Sequence, residues 1–282
     1  MIALLVWVGI AAADSPPPLA HPDLEMLYHE GSFQQGLTIT NERLASAPDK
    51  DLYWMKARFM FEIGERWSRT DPNIDKVAWY KDMLSAVEAG LALAPGDPHL
   101  RFARGIAMGR LGTTRGVLSS LFMAKDVEQD WLAVASSQGF FYQSLGNEEL
   151  LPCDAYHALG IFYRLVPDWW IIQVIAGTRG DLDRSLDFHR KAVSCKPGDI
   201  DNWKELGATE LCIADKRKEP AMLAAGLTSL SHALALPATT ERERIDHLHS
   251  QMLIAQPTLG CEYSRDGQQD LDESKLPSNA SP

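Results

Sequence analysis

The chain has 282 residues, of which 45% are hydrophobic and 23% charged, a balance that excludes a disordered or fibrous protein and suffices for a substantial core. Its formal net charge of -11 argues against general nucleic-acid binding, which needs clustered Lys and Arg to neutralise phosphates. Acidity of this size is otherwise a solubility feature.

The first residues, Ile2 to Ile10, are almost wholly apolar and are followed by Ala11, Ala12 and Ala13. An apolar run closed by small residues has the pattern of a secretory signal peptide, so residues 1–13 are expected to direct export to the periplasm or the extracellular space. The competing reading is a short buried helix. Pro16, Pro17 and Pro18 mark residues 14–22 as an extended linker. No later apolar run reaches the length of about 18 residues that a membrane helix needs, so the mature chain is expected to have no membrane span.

Residues 23–257 read as a series of helices punctuated by proline. Pro48, Pro95, Pro197 and Pro237 each end an apolar helical run, because Pro cannot continue a helix from within. Helices are expected at Asp51 to Glu65, Pro98 to Leu111, Asp154 to Leu165 and Asp201 to Ala214, with Asp available as a cap or first-turn charge. Partner helices are expected near Ala78 to Leu93, Thr114 to Ser136, Leu182 to Ser194, Ala221 to Leu236 and Glu241 to Ile254.

Within this series an internal repeat is visible. Tyr156-x-x-Leu159-Gly160-x-x-Tyr163 and Trp203-x-x-Leu206-Gly207 share an aromatic, a Leu three residues later and a Gly after it. The aromatic and the Leu lie on one helix face, while Gly lets the neighbouring helix come close despite costing about 1 kcal/mol against Ala in a helix. Gly180-Asp181-Leu182 leading through Ala192 to Pro197, and Gly31-Ser32-Phe33 leading to Pro48, read as the second helices. The interval from Trp54 to Pro95 equals that from Tyr156 to Pro197, as if two helix pairs carried similar insertions.

On these residues the chain resembles the tetratricopeptide-repeat (TPR) family over roughly Asp23 to Ile254, with degenerate and partly expanded units. The resemblance implies an all-α fold, a right-handed α-solenoid of antiparallel helix pairs whose inner groove binds peptides or other ligands. It also implies groove-facing positions one and five residues after each first-helix aromatic: Met55 and Phe59, His157 and Ile161, Lys204 and Ala208. Arg164 and Glu62 fall one turn further along the same faces. A bland alternative for all of these is an ordinary solvated or inter-repeat face. A weaker resemblance is to repeat proteins that serve solute-transport systems at the bacterial envelope.

The second insertion contains Trp169, Trp170 and Ile172 in an apolar run. Such a run must be covered, either by its own solenoid or as a lid or partner interface. Beyond Pro257 the composition turns polar, so residues 258–282 are expected to form a disordered acidic tail. Cys153, Cys195, Cys212 and Cys261 allow three pairings, and Cys212, within an apolar helix, reads equally well as a buried thiol.

No HExxH, GxSxG or Walker motif occurs. Gly105, Gly109 and Gly112 lie in a helix without a preceding strand and are read as packing glycines, not a nucleotide loop. Cys153 and His157 have the spacing of one edge of a zinc site, yet two ligands do not make a site, and His247 and His249 diverge on a helix. The expected function is therefore non-catalytic, with no metal or cofactor. Binding of a protein or peptide partner in the groove leads, and binding of a small molecule for envelope transport is the alternative.

Overall fold

A computed structural model describes residues 19–67, 73–115, 121–137, 142–145, 149–168, 173–174 and 177–264. Residues 1–18 and the apolar run Trp169, Trp170 and Ile172 lie outside the described residues, so the signal-peptide, linker and lid expectations fall there.

The chain forms α1 (Pro22–His29), α2 (Phe33–Ser46), α3 (Lys50–Glu65), α4 (Lys76–Leu93), α5 (Pro98–Arg115) and α6 (Leu121–Ala135). A two-stranded ribbon follows, β1 (Tyr142–Gln143) paired antiparallel with β2 (Leu150–Leu151). Then come α7 (Cys153–Leu165), α8 (Leu182–Cys195), α9 (Ile200–Arg217), α10 (Pro220–Ala235), α11 (Glu241–Ala255) and a 3-10 helix at Pro257–Cys261. Each helix packs on the next, and α3 also touches α5 as α7 touches α9. Alternate helices therefore lie side by side in an inner layer, which is the architecture of an all-α helical-repeat solenoid. Among the described residues no helix is long and apolar enough to cross a membrane.

The helix starts follow from aspartates placed just after the proline stops. Asp49 accepts hydrogen bonds from the Asp51 and Leu52 amides at 2.8 and 3.0 Å, and Asp97 does the same for His99 and Leu100 at 3.0 and 3.1 Å. Asp181 and Asp199 cap α8 and α9 in the same way, while Thr240 and Glu243 form a capping box on α11. Each cap satisfies amides that the first helical turn leaves without partners.

Helix pairs are set by glycines facing large side chains. A Cβ on Gly160 of α7 would come within 2.6 Å of the His189 ring of α8, and one on Gly207 within 2.7 Å of Leu230 of α10. Those two helix crossings therefore require glycine. Gly105 likewise faces Trp131, which makes it a packing glycine of α5.

All four cysteines pair, Cys153 with Cys195 and Cys212 with Cys261. The first bridge joins α7 to α8; the second ties the 3-10 helix to α9. Cys212 is thus not a buried thiol, and Cys153 is not available as a metal ligand.

The expected disorder after Pro257 fails for residues 258–264. Tyr263 is buried, its hydroxyl lies 3.0 Å from His249 Nδ1, and its ring joins Ala208, Leu211 and Leu230 in a second apolar cluster. The polar composition concealed three anchors: the Cys212–Cys261 disulfide, the Tyr263 ring and the carbonyls of Gly260 and Tyr263 that accept from Arg164.

Candidate functional site

The odd-numbered helices, together with α6, line an open groove with a cavity of about 1340 Å³. Trp54 and Phe61 of α3, Phe102 and Ile106 of α5, Trp131 of α6 and Phe162 of α7 make an apolar floor. Trp131 and Phe162 meet edge to face with centroids 6.3 Å apart.

At one end of the floor stands Arg58. Its guanidinium lies 3.8 Å from the centroid of the Tyr28 ring and 4.7 Å from that of Trp54, a cation–π arrangement. Nη1 donates to Glu25 Oε1 at 2.7 Å, and Nε lies 2.7 Å from Glu149 Oε2. Tyr142 of the ribbon donates to the same Glu25 oxygen at 2.6 Å. The ribbon is thereby fastened to α1 through a shared carboxylate.

Further along the wall Lys196 sits between Asp154, at 3.1 Å, and Asp199, at 2.9 Å. Behind the wall Lys204, with a fully buried side chain, reaches Asp201 at 2.6 Å, Asp246 at 2.7 Å and Glu205 at 3.3 Å. In each cluster one cation serves two or more carboxylates. Burial pushes the Glu149 carboxyl up to about 7; Arg58 opposes that shift, and repulsion from Asp154 and Glu25 adds to it. Burial likewise raises Asp154, against Lys196 and with help from Asp199. Lys204 is held well above the ordinary lysine range, since its carboxylates outweigh burial.

The residues predicted to line the groove divide sharply. His157 and Ile161 do line it, and Glu62 does too, whereas Met55, Phe59, Arg164, Lys204 and Ala208 are buried elsewhere. On α3 the groove face is Trp54, Ala57, Arg58 and Phe61, one position away from the expected register. Phe59 instead packs on Gly36 of α2. On α9 the residues that line the groove include the partly buried Asp201 and the buried Glu205, while the segment 257–264 packs against Ala208 and Leu211. Arg164 explains how that segment is held: its Nη1 donates to the carbonyls of Gly260 and Tyr263 at 3.0 and 2.6 Å, and its Nη2 to Glu205. Arg164 is therefore a structural clamp, not a ligand contact.

Sequence reasoning missed Arg58, Glu149, Asp154 and Lys196 as groove residues. The available signal was Arg58 itself, a charge four residues after Trp54 and therefore on the same helix face. Glu149 carried no local signal.

No family model matches this sequence, and no curated protein does. Twenty-four chains of solved structures match. One is YrrB, described as a TPR protein with an unusual peptide-binding site: 11% identical, TM-score 0.39, covering 84% of this chain and 95% of that one. Another is a monomeric mutant of IFIT1 with Gppp-AAAA: 12% identical, TM-score 0.35, covering 89% of this chain and 58% of that one. The chain's own packing, paired helices meeting at glycines with alternate helices lining one groove, makes it an all-α helical-repeat solenoid.

Proposed function

We propose that this protein is a non-catalytic scaffold, acting outside the cytoplasm, that holds a peptide segment of a protein partner in its groove. The single observation that carries this reading is the open groove of about 1340 Å³ with an aromatic floor between charged walls. Small-molecule pockets span about 300–1,000 Å³, so the volume favours an extended segment over a transport solute. Groove charges engaged in mutual ion pairs fit a binding surface better than a reactive centre. Two disulfides among four cysteines fit an oxidising compartment.

The test is hydrogen exchange on the full chain with partners captured from envelope extract. Binding in the groove slows exchange in α3, α5 and α7 together, and Ile161→Glu abolishes it. Protection confined to the even-numbered helices would overturn the reading. Cell fractionation with thiol labelling tests the compartment: reduced, freely labelled cysteines in a cytoplasmic fraction would reject export. Native mass spectrometry addresses the small-molecule alternative, which requires a co-purified ligand.

A further inference from the structure

We infer that the groove takes a segment carrying a lysine or arginine, whose cation docks against Glu149 and Asp154 while apolar neighbours lie on the aromatic floor. This inference rests on the peptide-groove reading and names the chemistry of its occupant.

Glu149 precedes β2 and Asp154 opens α7, so the turn through Leu150 to Cys153 brings both carboxylates to the same wall of the groove. Asp154 Oδ2 accepts from the Leu150 amide at 2.6 Å, which fixes that turn. Neither carboxylate has a cation to itself. Arg58 is shared with Glu25, and Lys196 with Asp199. With Glu149 ionised, each cluster thus leaves one negative charge in excess, in a partly desolvated site where charge is poorly screened. A ligand cation entering there supplies the missing counter-charge, whereas a ligand carboxylate meets like charge. Burial is the main cause that raises the carboxyls of Glu149 and Asp154, and repulsion from neighbouring carboxylates adds to it.

The opposite rim does not share this bias. Arg66 and Arg242 there face Glu62, whose carboxyl is held below the ordinary range: burial opposes ionisation, but the two arginines prevail. The groove is therefore polarised, with an arginine-bearing rim at α3 and α11 and an acidic wall where the ribbon meets α7. The floor between them is apolar. An occupant with one basic residue flanked by apolar ones satisfies both wall and floor, and strongly acidic segments are rejected.

The experiment pans phage-displayed random dodecapeptides against the immobilised full chain. The best selected dodecapeptide is then measured by fluorescence polarisation beside a copy whose basic residue is replaced by norleucine. The expected result is enrichment of lysine or arginine between apolar residues, with the norleucine copy bound about tenfold more weakly. That preference grows between pH 6 and 8 as Glu149 ionises, and Glu149→Gln reduces it. The wild-type pH comparison stands even if the variant fails to fold. Selected peptides that are uncharged or acidic, yet compete in the groove, would overturn the inference and leave the peptide-groove reading intact. Basic peptides unaffected by Ile161→Glu bind elsewhere and also overturn it. Enrichment of no sequence at all would remove both readings.

Discussion

Arg242, at the start of the last helix, lies 3.7 Å from Glu62 on α3, so the first and last parts of the solenoid meet across the groove mouth. Tyr28 of α1 donates to the same Glu62 carboxylate at 3.1 Å, which makes that carboxylate the hub of the closure. Because the Arg242 side chain is 49% exposed, the pair contributes little to global stability, of the order of 0–1 kcal/mol.

Replacing Arg242 by Glu puts like charges across the mouth. Thermal stability is expected to change by at most about 1 kcal/mol, while amide exchange at the start of α11 quickens. A large loss of stability with unchanged local exchange would show that this contact is a structural tie and not a closure.

The shifted carboxyl of Glu149 sets a pH dependence with a definite sign. A carboxyl whose folded value is raised to about 7 favours the native state while neutral. Its contribution is fully present below the ordinary value near 4.5 and is lost as pH rises through 7. Glu149→Gln is therefore expected to melt higher than wild type at pH 8 and about equally at pH 4.5. Melting curves at the two values decide it; a variant less stable at pH 8 means that the Arg58 ion pair outweighs the burial cost.

Lys204 presents the opposite case. Removing it as Lys204→Met leaves Asp201, Glu205 and Asp246 without their shared cation, and loss of one partner from a buried ionic cluster costs about 3–5 kcal/mol. Denaturant unfolding at pH 7 should record that loss; a deficit below about 1 kcal/mol would show that the cluster's carboxylates find other counter-charges.

Two glycines offer a paired test of the helix crossings. Gly160→Ala places a methyl group 2.6 Å from His189 and is expected to cost about 1–3 kcal/mol, whereas a Cβ at Gly96 meets nothing within 4 Å. Gly96→Ala should be neutral or slightly stabilising. Equal melting temperatures for the two variants would contradict the close packing of α7 on α8.

Breaking Cys212–Cys261 as a double serine variant should detach the 257–264 segment from α9. The bridge spans 49 residues of sequence, for which loop-closure entropy amounts to about 4 kcal/mol. Proteolysis should then cut near Gly260 in the variant and not in the oxidised wild type.

Much of the fold was legible in the sequence because helix pairing is a local code. Leu and aromatic residues at helical spacing, Gly at the crossings and Pro with Asp at the breaks all act within one or two turns. The α7 register was also legible, since Tyr156, Leu159 and Gly160 fix which face meets α8 and so leave His157 and Ile161 to the groove. On α3 the same rule missed by one position, because Phe59 is drawn to Gly36 of α2, whose geometry no spacing within α3 reveals.

What the sequence by itself determined is the class of protein: an acidic, all-helical array of paired helices with an inner face. Tertiary structure alone decided which residues form that face, how the cysteines pair, and that residues 258–264 fold back over Lys204, Arg164 and Ala208. The reason is range. Helix signals act through neighbours three and four residues apart, whereas the Arg58–Glu149 pair and the Arg164 clamp on Tyr263 join groups about 90 to 100 residues apart, whose desolvation costs are met only once the solenoid has curved.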